Sequence, residues 1–191
     1  IFRQKNIQPT EEVIGGASMP TSSVPLAPRW LDGVLVSPSE VDLRPFAVII
    51  DHDPEAVPVA GIREAAFVFE MPVEGGLTRY LAVFDGTSTT PVVGPIRSAR
   101  AYHLDLVDAL GAVFVHVGSS PDARESLAKF TRLKDVDEMK RGSLFWRQSG
   151  ARAPHHIFTS LTTIQKAIGG TSTSSIPSIV WRFKDPIPEV A

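Results

Sequence analysis

Ala112-Val113-Phe114-Val115-His116-Val117-Gly118-Ser119-Ser120-Pro121 is the stretch on which the fold reading turns. Its first six residues are almost wholly apolar, β-branched or aromatic, which predicts a strand buried on both faces. Gly118 offers a turn, and Ser120 followed by Pro121 predicts a helix opening with Ser120 as the cap. Ala123, Leu127 and Phe130 continue the apolar side of that helix. A strand running directly into a helix is the repeating unit of an α/β domain.

The flanking segments extend the pattern. Upstream, Ser98 can cap a helix whose face carries Tyr102, Leu106, Ala109 and Leu110, ending at Gly111. Phe46-Ala47-Val48-Ile49-Ile50 is a second doubly buried run, and Ala66-Phe67-Val68-Phe69 repeats it. Leu77 to Phe84, closed by Asp85-Gly86, predicts one arm of a hairpin with Val92-Val93 as its return. Downstream, Ser160 starts a third helix with Leu161, Ile164 and Ile168 inward, stopped at Gly169-Gly170. Hairpin and strand–helix–strand units together predict an α/β fold with a mixed sheet of about five or six strands flanked by helices.

Three regions follow. Residues 1–29 are rich in Pro, Gly, Ser and Thr and predict a flexible tether. Residues 30–170 form the α/β domain, entered through the aromatic turn Trp30-Leu31-Asp32-Gly33. Residues 171–191 open with a Ser/Thr linker and continue in Ile179-Val180-Trp181-Arg182-Phe183, a lone strand. That strand either completes the main sheet or begins a second small domain.

Composition excludes several classes. The 191 residues contain no cysteine, which rules out disulfides and thiolate zinc sites. A formal charge of −2 and the lack of a basic, aromatic-interleaved stretch argue against nucleic acid as a partner. No run approaches the roughly 20 apolar residues of a membrane span. The start, Ile1-Phe2-Arg3-Gln4-Lys5, reads either as the trailing edge of a membrane or signal segment or as an arbitrary boundary. No metal motif, nucleophile elbow or Walker loop is complete, so no cofactor is expected.

The polar residues with chemical promise gather around Gly94-Pro95-Ile96-Arg97-Ser98-Ala99-Arg100. Arginines at a helix N-terminus oppose the helix dipole at a cost of ~0.3–1 kcal/mol each, so a negative companion is expected among them. It is either a ligand phosphate or carboxylate, or a protein acid such as Glu74, Asp51 or Glu70. Arg79 interrupts the hairpin arm after Glu74-Gly75-Gly76 and belongs to the same group. Asp51 and His52 follow the Phe46 run, where a turn is the first reading and a base or ligand contact the second. His116 interrupts an apolar strand and reads first as a hydrogen-bonded core residue, with a site role beside Ser119 as the alternative. His155 and His156 are adjacent on an extended stretch, so only one can face a site. The expected ligand contacts are therefore Arg79, Arg97, Ser98, Arg100, Glu74, Ser119 and His156, with Asp51, His116 and His155 as candidate catalytic groups.

These segments resemble the YerB-like family of bacterial lipoproteins, a family without an assigned reaction. The resemblance runs through Arg44-Pro45 to Asp51-His52, Glu74 to Arg79, Val93 to Arg100, His116 to Pro121, Phe145-Trp146-Arg147 and Ala153-Pro154-His155-His156. It covers about residues 30 to 170 and implies secretion, anchoring to the cell membrane by an N-terminal element, and a smaller second domain. The order of arginine-bearing arm, Pro-x-Arg and following helix is also similar, in pattern alone, to LytR-type envelope phosphotransferases. The resulting expectation is a cell-envelope protein binding an anionic envelope ligand. The alternatives are an enzyme acting on a glycan or lipid-linked phosphate, or an adaptor for another envelope protein.

Overall fold

The computed structural model describes residues 25–56, 58–172, 179 and 181–183. The tether reading falls mostly on residues 1–24, outside those described. From residue 27 the chain is already part of the folded body: β1 (Ala27–Pro28) pairs antiparallel with β2 (Leu35–Val36). Between them Arg29 holds Asp32 at 2.6 Å and Asp85 at 2.9 Å.

The central sheet begins with β3 (Phe46–Asp51), buried at every position as an unbroken apolar run requires. Next come β4 (Phe67–Pro72), β5 (Thr78–Phe84), α1 (Ala101–Ala109), β6 (Val113–His116), α2 (Pro121–Leu127) and β7 (Lys134–Asp137). A two-stranded sheet of β8 (Phe145–Arg147) and β9 (Ile157–Thr159) precedes α3 (Leu161–Ala167). The five-stranded order is β4-β5-β3-β6-β7, with β3, β6 and β7 parallel and β5 antiparallel to both neighbours. This is the mixed α/β architecture expected.

Strand alternation divides the core into two layers. Phe46, Val48 and Ile50 face α3 and the β8–β9 pair through Leu161, Ile164, Phe145 and Ile157. Ala47, Ile49, Leu81 and Phe114 face α1 through Leu104, Val107 and Leu110. At about 25 cal/mol per Å² of apolar surface buried, these layers supply the main driving force for folding.

Four local expectations are corrected. β5 turns back from β4 through Glu74–Gly76, while Val93 bridges Thr159 instead. β4 is an edge strand whose burial alternates, so Ala66 to Phe69 is not a doubly buried run. Helix α1 starts at Ala101 with Arg100, not Ser98, as N-cap. The amides of Arg97 and Ala99 are committed to Ile49 O (3.0 Å) and Gly118 O (3.0 Å), which keeps residues 97–99 extended. The inward face shifts accordingly to His103, Leu104 and Val107, and Tyr102 lies exposed with its hydroxyl on Pro72 O. Finally, the described residues 179 and 181–183 form no strand. Ile179 N donates to Ala109 O at 3.3 Å and Trp181 packs 5.7 Å from Phe67, so both cover the α1 side of the domain.

Candidate functional site

The site forms at the carboxyl end of β3, where α/β sheets commonly place ligands. β6 pairs β3 only as far as Val48. Beyond it, residues 95–97 take over that edge: Arg97 N donates to Ile49 O and Asp51 N to Pro95 O, with Ile50 and Ile96 forming an antiparallel bridge. The other edge of β3 stays with β5, which sets Arg79 opposite Asp51. His155 arrives from the β8–β9 connection.

Asp51 is the last residue of β3, not part of a turn, and is 3% exposed. Its Oδ2 accepts from His155 Nδ1 at 2.7 Å and lies 3.0 Å from Arg97 Nε, an ion pair not aligned as a hydrogen bond. Arg97 also donates through Nη1 to Pro154 O at 3.1 Å. Ser98 is shared by two guanidinium groups. Arg79 Nη1 donates to its carbonyl at 2.7 Å and its hydroxyl oxygen at 3.2 Å, and Arg100 Nη1 reaches the same two atoms at 3.4 and 3.2 Å.

Charge is unevenly balanced across this cluster. Arg100 grips Glu74 through Nε (2.8 Å) and Nη2 (2.5 Å), and the hydrogen bond from Arg100 holds the Glu74 carboxyl at about 2. Arg79 is 8% exposed and forms no ion pair among the described residues. Burial, reinforced by the charges of Arg100 and Arg97, lowers its guanidinium to about 10. Beneath them His103, fully buried, accepts from Arg100 N through Nδ1 at 2.9 Å, and burial drives it down to about 4.

The expected residues are thus brought together in part. Asp51, Glu74, Arg79, Arg97, Ser98, Arg100 and His155 form one cluster. His116 does not join it: fully buried, it meets Gly118 O and Asp135 Oδ1, each at 2.7 Å, and is a satisfied core residue. Ser119 lines a separate cleft of about 550 Å³ beside Asp135 and Lys140. His156 takes no part in the cluster's bonds. Glu70 accepts from Thr78 at 2.7 Å and pairs with His52, leaving the arginines to Glu74 and Asp51. His103 was not anticipated; its signal is the three-residue spacing from Arg100, the spacing of a reciprocal helix cap.

A cleft of about 390 Å³ adjoins the cluster, lined mainly by Pro58, Ala60, Val92, Pro95, Phe158 and His155. It is largely apolar. Its link to the charged group is His155, which lines the cleft and holds Asp51. Among the described residues no group of three or more His, Asp or Glu side chains is arranged to hold a metal ion, and no helix is long and apolar enough to cross a membrane.

Comparison with known proteins gives a consistent match. Residues 31–174 match the N-terminal domain of a protein family of unknown function, DUF3048. The chain is 38% identical over 141 residues to "Putative lipoprotein YerB" of Bacillus subtilis strain 168, covering 72% of this chain and 41% of that protein. It is also similar to the crystal structure of the YerB protein from Bacillus subtilis, with a TM-score of 0.68 at 35% identity over 73% of this chain and 48% of the other. The chain therefore spans less than half the length of these relatives.

Proposed function

Given that this chain belongs to the DUF3048 family, we propose that it is an anion-binding domain of the cell envelope. Arg79, Arg97 and Arg100 form its receptor, with Glu74 at the edge and Ser98 holding the guanidinium groups in register. The ligand is an envelope compound bearing a phosphate or carboxylate. The lipoprotein name carried by the relative supports an extracytoplasmic, membrane-anchored setting.

One observation carries the reading. Arg79 is a nearly buried cation without a carboxylate partner among the described residues, and two further arginines crowd it. A buried charge left unpaired is costly, and a bound anion supplies the missing counter-charge. Glu74 and Asp51 neutralise Arg100 and Arg97, as a purely structural cluster would have them. Arg79 is the residue that such a cluster leaves unexplained.

The test is a thermal-unfolding titration with inorganic phosphate against chloride at matched ionic strength. A ligand that binds only the folded state raises the midpoint as its concentration passes Kd. The wild type is expected to respond and Arg79→Met to lose the response. Equal responses in both proteins, or none in either, would remove the proposed receptor.

A further inference from the structure

We infer that the anion this receptor selects carries a single negative charge shared by two oxygen atoms, the chemistry of a carboxylate or a phosphodiester. The inference rests on the anion-binding reading and narrows its ligand, setting phosphomonoesters and pyrophosphates aside. Two observations carry it: the donors that Arg79 leaves unused, and the balance of charge around them.

Two other arginines of this chain show how the side-on edge of a guanidinium is filled. Arg29 meets the two oxygens of Asp32 through Nε at 2.9 Å and Nη2 at 2.6 Å. Arg100 meets those of Glu74 through Nε at 2.8 Å and Nη2 at 2.5 Å. Such an edge is a planar fork spaced for two oxygens on one atom. Arg79 donates through Nη1 alone, to the carbonyl and hydroxyl of Ser98. Its Nε and Nη2 have no partner among the described residues, and neither atom is fully enclosed. Ser98 anchors the Nη1 end, so the fork is held in place before any ligand arrives.

The charges that act most strongly on Arg79 are those of Arg100 and Arg97, opposed by Asp51 and Glu74. Asp51 faces Arg97 at 3.0 Å, and Glu74 faces Arg100 at 2.5 Å. Three cations against two carboxylates leave one positive charge to be met. Exposed Asp122 acts on Arg100 more weakly than Glu74 does, and His103 beneath, with its pKa driven down to about 4, adds no charge at neutral pH. A singly charged ligand completes this balance, and a second negative charge has no counterpart. The seat is also poorly hydrated, with Arg79 only 8% exposed. The cost of drawing an ion out of water grows with the square of its charge, about fourfold for a dianion over a monoanion, whereas its attraction to one cation only doubles. Desolvation therefore decides against the dianion.

The test is calorimetric titration of the whole chain with acetate, dimethyl phosphate and methyl phosphate at pH 8 and constant ionic strength. At that pH histidine side chains are ordinarily neutral, and methyl phosphate, with a second pKa of about 6, is a dianion. The better-bound monoanion is expected to exceed methyl phosphate in affinity at least about fivefold, and which of the two it is tells phosphodiester from carboxylate. Arg79→Lys keeps the charge and loses the fork, so it should weaken that monoanion at least about tenfold. Glu74→Gln leaves a second positive charge uncompensated and should narrow the gap to within about twofold. Far-ultraviolet circular dichroism identifies variants that have folded. Methyl phosphate bound as tightly as the better monoanion overturns this inference and leaves the anion-binding reading standing. Undiminished affinity in folded Arg79→Lys, or a gap that Glu74→Gln does not move, does the same. Binding of none of the three anions overturns both readings.

Discussion

Asp51 and Arg79 are direct cross-strand partners at the end of the β3–β5 ladder, yet no ion pair joins them. Opposite charges in that relation ordinarily attract each other across a sheet. Here the carboxylate is turned to His155 and Arg97, and Arg79 is left to the oxygens of Ser98. The separation leaves an unspent positive charge at the rim of the sheet.

Arg79→Met is therefore expected to make the ligand-free protein more stable, by about 1 kcal/mol, since a flexible apolar chain replaces a buried and crowded cation. Urea unfolding in phosphate-free buffer measures this. A loss of more than about 1 kcal/mol would mean that the guanidinium serves the fold.

Glu74 competes with any incoming anion for Arg100. Glu74→Gln is expected to tighten phosphate binding by about threefold at low ionic strength, and the gain should shrink as salt screens the site. Glu74 is largely exposed, so its removal should scarcely move the unfolding midpoint. Calorimetric titration at two ionic strengths checks both points, and an unchanged or weakened affinity would separate Glu74 from the binding surface.

His103 makes stability depend on acid. Burial, then the charges of Arg79, Arg100 and His116, lower its pKa from 6.5 to about 4 in the folded protein. Between those values the unfolded chain binds the extra proton, so stability is full above 6.5 and falls as the pH drops toward 4. The linked loss is up to about 3 kcal/mol. His103→Gln keeps an acceptor for Arg100 N and removes the titration. Its urea midpoint should change less than that of wild type between pH 7 and 4, and parallel curves would refute the assignment.

Gly94 adopts φ +148, and a Cβ there would meet Phe158 Cδ1 at 2.8 Å and Ile157 O at 2.9 Å. Gly94→Ala should cost about 2–4 kcal/mol of stability by urea unfolding, through both backbone strain and collision with β9. A cost below about 1 kcal/mol would show that β9 can move aside.

Local chemistry made some elements legible and left others hidden. α2 and α3 open at Ser120 and Ser160, whose hydroxyl oxygens accept from the amides three residues on, as their sequence spacing announces. β3 and β6 are announced by the apolar runs 46–50 and 113–115. β7 was missed because Lys134-Asp135-Val136-Asp137 has a single apolar residue, and it becomes a strand through its parallel ladder with β6. There His116 and Lys140 hydrogen-bond Asp135 and hold its carboxyl below the ordinary value against the opposing effect of burial. In the site, the arginines were visible as a local excess of positive charge. The bond between Asp51 and His155 was not, because it joins residues 104 positions apart and depends on the β8–β9 connection reaching β3.

Main-chain hydrogen bonds secure residues 93–99 to Ala60, β3, β9 and Gly118. The peptide groups fix the path of this segment, and the side chains of Arg97 and Ser98 add ties of their own to Asp51, Pro154, Arg79 and Arg100. Replacing either side chain removes those ties and leaves the main-chain frame of the segment in place.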